Sequence, residues 1–140
     1  MRGYTNGKDH LTDVVGTLLV LFCLLQIKHM LADYFLQTQK MLSGRATYMH
    51  AGRAQHAGVH ALGSAIAFAL VGAPPLFIAV IAVVDWVAHF HIDWAKARYC
   101  EENGLGPTEA RFWRAAGFDQ ALHQLTYIAM VWAWFEFALH

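Results

Sequence analysis

Residues 74–95 decide the fold, and they read Pro-Pro-Leu-Phe-Ile-Ala-Val-Ile-Ala-Val-Val-Asp-Trp-Val-Ala-His-Phe-His-Ile-Asp-Trp-Ala. Apolar side chains occupy nearly every position, so the stretch predicts a helix without a solvated face. It is long enough to cross the ~30 Å hydrocarbon core of a bilayer, which takes about 20 residues. Three polar exceptions, Asp85, His89 and Asp93, recur every four residues and therefore share one face, whereas His91 lies on another face. The stretch predicts a membrane-spanning helix with a single polar stripe.

Three further apolar stretches cover about residues 14–36, 57–70 and 115–139. The 140-residue chain is 57% hydrophobic and 14% charged, which leaves too little polar surface for a soluble bundle of four such helices. The positive and negative side chains balance, so charge gives no reason to expect nucleic acid as a partner. We therefore predict an all-α, single-domain (1–140) polytopic protein of the lipid bilayer. It is an antiparallel bundle of four transmembrane helices, at about residues 14–39, 53–72, 75–98 and 115–139.

The positive side chains indicate how this bundle is oriented. Most belong to the two long loops that join the first helix to the second and the third to the fourth: Lys40, Arg45, Arg53, Lys96, Arg98, Arg111 and Arg114. Arg2 and Lys8 are the only ones in the N-terminal tail, and the Gly72–Pro75 turn has none. The positive-inside rule places both long loops in the cytoplasm and both termini outside.

Each predicted helix also carries histidine and aspartate at a spacing of four residues. These residues are His29 and Asp33, then His56 and His60, then Asp85, His89 and Asp93, and finally Asp119 and His123. They lie in the C-terminal halves of helices one and three and in the N-terminal halves of helices two and four. Antiparallel packing therefore brings them to one level, with Asp85 about one turn deeper than His89. Because an aspartate at mid-helix costs ~2.5–3.5 kcal/mol on insertion, we expect these side chains to face one another.

A divalent metal is our first interpretation of this convergence. Imidazole and carboxylate are suitable ligands for zinc, iron and manganese, and the cation offsets the carboxylate charge. We predict one or two ions, zinc first with iron or manganese as alternatives, held by His29, Asp33, His60, His89, Asp93, Asp119 and His123. Either His56 or His60 is the main ligand from the second helix. A proton or ion pathway and a purely structural polar core are the other interpretations.

Three motifs carry a resemblance to a known family. They are His29-Met-Leu-Ala-Asp33-Tyr-Phe-Leu-Gln37, His89-Phe-His-Ile-Asp93-Trp-Ala-Lys96 and Asp119-Gln-Ala-Leu-His123. In this order, from about His29 to Thr126, the chain resembles the bacterial and phage membrane family known as domain of unknown function 3307 (DUF3307). The resemblance implies a multi-pass protein of the bacterial inner membrane and supplies no activity. The chain is also similar, more distantly and by analogy, to membrane-bound metal-dependent hydrolases.

The site favours a metal-dependent hydrolase, because a bound metal turns water into a nucleophile at neutral pH. Asp119 serves as a general base or ligand, and His56 as a proton shuttle or ligand. A site inside the bilayer near its cytoplasmic face suits an amphiphilic small molecule. Arg45, Arg53 and Arg98 are expected to attract its anionic head. The alternatives are a metal-ion or proton transporter and a haem-binding protein with histidine axial ligands.

Several remaining residues have simpler expected roles. Lys28 is predicted to snorkel toward the interface or to pair locally. Lys96 is predicted to snorkel, with contact to an anionic substrate group as the alternative. Small residues of the second helix permit close helix contact and hence a homo-oligomer: Gly58, Ala61, Gly63 and Ala65.

Overall fold

A computed structural model describes residues 6–137 of the chain, with side chains from residue 11 onward. All regular structure in this range is α-helical. The helices are α1 (Asn6–Tyr34), α2 (Gln39–Leu42), α3 (Ala51–Leu70), α4 (Pro75–Glu102) and α5 (Ala110–Phe137). The all-α prediction is therefore confirmed for the described residues. The end of the predicted fourth helix, residues 138–139, lies outside them.

The four long helices pack in a ring. α1 lies against α3 and α5, α4 lies against the same two helices, and α2 rests on α3. Neighbouring helices run antiparallel. For example, Phe68 near the end of α3 packs against Phe77 near the start of α4, whereas the Ala54 carbonyl at the other end accepts a hydrogen bond from Trp86. This arrangement gives an up-and-down four-helix bundle with one additional short helix.

The first helix ends earlier than the sequence predicted. The amides of Phe35 and Leu36 both donate to the carbonyl of Leu31, which closes α1 at Tyr34. The chain then starts again at Thr38, whose hydroxyl accepts from the Met41 amide at 3.3 Å and caps α2. The predicted single helix over 14–39 is thus a longer α1, which begins at Asn6, followed by a separate turn of helix.

The tight turn between α3 and α4 was anticipated at Gly72–Pro75. Gly72 has a φ of 78°, a conformation that glycine adopts without steric cost. Its amide donates to the Ala69 carbonyl, and the amide of Ala73 donates to Phe68, as in a Schellman motif. Pro75 then opens α4 at a position where no amide proton is needed.

The apolar core fills the half of the bundle on the side of this turn. Its fully buried members include Leu21, Leu25, Phe68, Tyr127 and Trp134. The buried side chains in the other half are largely polar and charged. The fold therefore divides its interior into an apolar half and a half built around histidine and aspartate.

Two of the helices are long and apolar enough to cross a membrane. They are Leu11–Tyr34, with a mean hydropathy of 2.0, and Pro75–Glu102, with 1.8. Within the described part of the chain, α3 and α5 do not meet the same criterion. Both contain inward-facing polar residues, such as His60 and His123, which lower their hydropathy.

The contact between α2 and α3 depends on a glycine. A Cβ added at Gly52 would lie 2.0 Å from the Lys40 carbonyl oxygen, whereas one at Gly58 would meet nothing closer than Trp86 Nε1 at 4.0 Å.

We predict that Gly52→Ala destabilises the protein by about 1–3 kcal/mol, because the backbone must move to admit the methyl group. The control Gly58→Ala should leave stability unchanged or slightly raised, since alanine favours helix. Thermal unfolding in detergent measures both; equal stability of the two variants would contradict the close α2–α3 approach.

Candidate metal site

Nine histidine and aspartate side chains from the four long helices lie in the polar half of the bundle. We call them the His/Asp cluster: His29, Asp33, His56, His60, Asp85, His89, Asp93, Asp119 and His123. The sequence predicted that these side chains face one another, with Asp85 about one turn deeper than His89. Their contacts, described below, cross from helix to helix, so the predicted convergence is present in the structure.

Asp33 gathers histidines from two helices. Its Oδ1 lies 3.0 Å from His60 Nε2 and 3.2 Å from His56 Nε2. Its Oδ2 lies 3.2 Å from His29 Nε2, one turn earlier on α1. Both histidines of α3 therefore contact the same carboxylate. The sequence left open whether His56 or His60 is the main ligand from the second helix, and the structure places both residues in the same site.

Asp93 performs a similar role on the opposite side. Its Oδ1 lies 3.1 Å from His123 Nε2, and its Oδ2 lies 3.5 Å from His56 Nε2. Asp119 is more peripheral, with Oδ1 at 3.7 Å from His123 Nε2. His56 thus bridges Asp33 and Asp93, which joins the two sides of the cluster.

Three imidazole rings are stacked through the middle of the cluster. The ring centroids of His60 and His89 are 3.5 Å apart, and those of His89 and His123 are 3.9 Å apart. All three side chains are buried. The Nε2 atom of His89 has no hydrogen-bond partner among the described residues. A buried ring nitrogen without a partner is costly, and it is available to a ligand.

Two groups of donor atoms in the cluster can hold a metal ion. One comprises Asp33, His56, His60 and His89, and the other comprises His89, Asp93 and His123. Within each group the donor atoms lie within 4.8 Å of one another. Two donors on one zinc ion, each ~2.0–2.2 Å from the metal, are at most about 4.4 Å apart, so a small contraction suffices. Imidazole and carboxylate also suit the chemistry of divalent transition metals.

His29 and Asp119, both predicted ligands, lie outside these two groups. His29 Nδ1 is 2.8 Å from the hydroxyl of Tyr127, and its Nε2 is 3.1 Å from Gln120 Oε1. Tyr127 was not identified from the sequence as part of the site. Its position four residues after His123, on the same face of α5, was the available signal.

Asp85, at the deep end of the cluster, forms a buried charge pair. Its Oδ2 accepts hydrogen bonds from Lys28 at 3.0 Å and from Ser64 at 2.8 Å, and its Oδ1 lies 3.7 Å from His89 Nδ1. Lys28 also donates to the His60 carbonyl at 3.2 Å. Lys28 is therefore buried inside the bundle and does not snorkel to the interface; of its two predicted roles, pairing is the one present, with Asp85 as the partner.

A glycine makes this burial of Lys28 possible. A Cβ at Gly63 would lie 3.2 Å from the aliphatic carbons of Lys28, so the lysine stem crosses α3 where no side chain obstructs it. The ammonium then lies 4.4 Å from the centre of the Tyr127 ring. Gly63 thus serves packing within this chain, whereas the sequence suggested a contact between protomers.

Arg53 supports the loop between α1 and α3. Its guanidinium donates to the carbonyls of Arg45 at 3.1 Å, Thr47, and Tyr48 at 2.5 Å. It is buried, and it stacks over the Phe90 ring. Its terminal nitrogens donate to the loop backbone, whereas Nε has no partner among the described residues. Arg53 also lines the cavity described next, so its attraction of an anionic head stays a prediction.

A cavity of about 970 Å³ opens from the cluster toward the loops. Asp33, His56, Asp93 and Asp119 line it on the cluster side. Arg45 and Lys96 supply positive charge to its wall, and Phe112 and Trp113 supply apolar surface. The cluster is thus reachable by a molecule from the loop side.

The chain matches one family model over most of its length. The family model for DUF3307, described as a protein of unknown function, matches residues 20–139. The chain belongs to the DUF3307 family. The match includes every residue of the His/Asp cluster and confirms the resemblance seen in the sequence, while the DUF3307 description assigns no activity. No curated protein and no solved structure matches the chain.

The Lys28–Asp85 pair generates a prediction about stability. Lys28→Met should destabilise the protein by about 3–5 kcal/mol, because it leaves the Asp85 carboxylate buried without its cation. The double variant Lys28→Met/Asp85→Leu should recover most of that loss, since both charges are then absent. Thermal unfolding in detergent tests this double-mutant cycle. Additive effects of the two substitutions would show that the pair is not coupled.

Proposed function

We propose that this DUF3307 protein is a polytopic protein of the bacterial inner membrane in which all four long helices span the bilayer. The distribution of its side chains supports this. Large apolar residues are exposed along every long helix, among them Leu19, Ile66, Val83 and Leu125, whereas Lys28, Arg53 and Asp85 are buried. A soluble protein shows the reverse pattern and rarely exposes so much contiguous apolar surface. Lipid is the solvent that this surface fits.

In the proposed orientation both long loops face the cytoplasm and both termini lie outside. Most of the arginine and lysine residues lie in the α1–α3 connection or in the helix ends next to the two long loops, and the α3–α4 turn contains none. They are Lys40, Arg45, Arg53, Lys96, Arg98, Arg111 and Arg114. The 20 residues of α3 rise about 30 Å, which matches the hydrocarbon thickness. The inward-facing histidines that lower the hydropathy of α3 and α5 do not contact lipid in this arrangement.

Cysteine labelling tests this topology. In a variant lacking Cys23 and Cys100, we expect Ser43→Cys and Asn103→Cys to react with a membrane-impermeant maleimide only after cells are permeabilised, because both positions lie in loops on the cytoplasmic side. Pro74→Cys, in the opposite turn, should react in intact cells. Labelling of all three positions before permeabilisation, or of none after it, would refute the four-span topology.

The proposed activity is metal-dependent hydrolysis of an amphiphilic, lipid-like substrate. The observation that carries it is the convergence of carboxylates and imidazoles from all four long helices, with His89 Nε2 buried and lacking a partner among the described residues. Zinc is the proposed ion, with iron or manganese as alternatives. A bound divalent ion supplies an activated water and polarises the scissile group of an ester.

His89 determines how many ions the cluster can hold at once. It belongs to both donor groups, and its Nδ1 faces Asp85, so only Nε2 remains for a metal. One ion is therefore ligated by His89, and a second would depend on the other histidines and on Asp93. Asp85 orients the ring through Nδ1, a role that carboxylates commonly have beside metal-binding histidines.

Asp119 and His56 are the residues we propose for proton transfer. Both line the cavity where it meets the cluster, so both reach the space that a substrate would occupy. Asp119 Oδ1 has no hydrogen-bond partner among the described residues and can accept a proton from the attacking water. His56 lies between Asp33 and Asp93 and can pass a proton between carboxylates.

The two alternative functions fit the packing less well. A transport pathway would need polar groups through the whole bundle, but beyond the cluster the interior is closed by Leu21, Leu25 and Phe68. A haem needs space for its macrocycle between facing histidines, and the His60 and His89 rings are in van der Waals contact at 3.5 Å.

Elemental analysis of the purified protein tests the metal site. We expect about one or two equivalents of zinc, iron or manganese in the wild type. His89→Ala should lose this metal, because His89 belongs to both donor groups. His91→Ala is the matched control: His91 lies on the same helix but is exposed and bonds to Tyr48 and the Val87 carbonyl. A folded wild type without metal would rule out the hydrolase.

A further inference from the structure

A second cavity of about 500 Å³ lies between α4 and α5 and adjoins the first. Lys96 and Asp119 line both cavities, so these two side chains lie at the boundary between them, which we call the neck. The second cavity therefore lies beside the cluster residue Asp119. We call it the α4–α5 groove.

The lining of the α4–α5 groove changes along its length. Ile92, Ala95, Phe118 and Leu122 make one part apolar, and both Phe118 and Leu122 are exposed on the outer face of the bundle. Arg111 and Arg114 lie at the end near the α4–α5 loop. The groove is thus apolar at the depth of the acyl chains and basic at the depth of the headgroups. This distribution is complementary to an anionic lipid.

Lys96, at the neck, has no direct ion-pair partner among the described residues. Its ammonium lies 5.9 Å from the centre of the Phe112 ring, and no carboxylate of the described residues lies within 4.0 Å of it. Two other basic side chains nearby are engaged: Arg98 pairs with Glu102 at 2.6 Å, and Arg111 donates to Tyr99 and Asn103. Lys96 is therefore available to an anion held between the groove and the cluster.

We propose that the α4–α5 groove holds the acyl chain of a lipid phosphate whose phosphate group binds Lys96 beside the cluster. The proposal rests on the metal-dependent hydrolase described above and names its substrate class. An anion would be repelled by Asp33, Asp93 and Asp119 alone. With a divalent ion bound, phosphate oxygens can contact the metal and the Lys96 ammonium together, the arrangement that stabilises a transferring phosphoryl group.

The corresponding reaction is hydrolysis of a phosphate ester. The oxygen of water forms a bond to phosphorus, and the bond from phosphorus to the lipid alcohol oxygen breaks. One proton of the water passes through the protein carboxylates to the departing alkoxide, which leaves as an alcohol. The other proton remains on the inorganic phosphate product, so that no oxidant or further reactant is required.

Binding of lauroyl lysophosphatidic acid, measured by native mass spectrometry in detergent, tests the proposal without requiring turnover. Lys96→Gln should weaken binding by about 10- to 100-fold, the value of a hydrogen bond to a charged group. The charge control Arg98→Gln, outside both cavities, should bind as the wild type does. Ala95→Trp should block the groove, whereas Ala79→Trp, an equally exposed alanine near the other end of α4, should not.

Two soluble probes distinguish a lipid from free phosphate. Glycerol 3-phosphate should bind far more weakly than the lauroyl compound, and monolauroylglycerol, which lacks the phosphate, should bind independently of Lys96. Equal binding of the lauroyl compound in the wild type and in Ala95→Trp would overturn the groove as the acyl site. Unchanged lipid binding in Lys96→Gln would overturn the phosphate contact.

Metal content and phosphate release separate this proposal from the activity on which it rests. Lys96→Gln and Ala95→Trp should retain the metal of the wild type, because neither residue belongs to a donor group. Lipid binding that depends on Lys96 and Ala95, without phosphate release by the metal-loaded wild type, would retain the groove and refute the hydrolase. Phosphate release that is unaffected by both substitutions would retain the hydrolase and refute the groove.

Discussion

The structure depends on the need to compensate carboxylates inside a helical bundle. A carboxylate removed from water loses solvation worth several kcal/mol or more, and it must recover it from partners in the protein. Asp85 is fully buried and obtains Lys28 and Ser64. Asp33 and Asp93 obtain imidazoles from neighbouring helices. Each buried acidic residue therefore requires a hydrogen-bond donor or a cation at the same level on an adjacent helix.

This compensation also orders the helices. The contacts of Asp33 join α1 to α3, and those of Asp93 join α4 to α5 and α3. Apolar contacts between helices provide little specificity in lipid, because the surrounding chains are equally apolar. The directional contacts of the cluster can fix rotation and register, while the core around Phe68 and Trp134 fills space in the other half. The polar half and the apolar half thus contribute different parts of the fold.

Much of the candidate site was predictable because it follows from regular geometry. A spacing of four residues places His29 with Asp33, and antiparallel packing then aligns them with residues of the other helices. The hydrophobic stretches gave the number of long helices in the same way. Helix ends were less predictable: the break at Tyr34 arises from two turn hydrogen bonds and the Thr38 cap, which the apolar pattern does not reveal.

The contacts that were not predicted depend on helix rotation and on what a neighbouring helix lacks. Lys28 can be buried because Gly63 has no side chain, so the burial of the lysine depends on a residue of a different helix. Arg53 is used by the loop backbone, which no periodicity encodes. Lys96 carries the same charge as these residues and has no acidic partner among the described residues. Lys28 and Arg53 are held by partners inside the bundle, so Lys96 is the one of these three cations that remains available to a ligand.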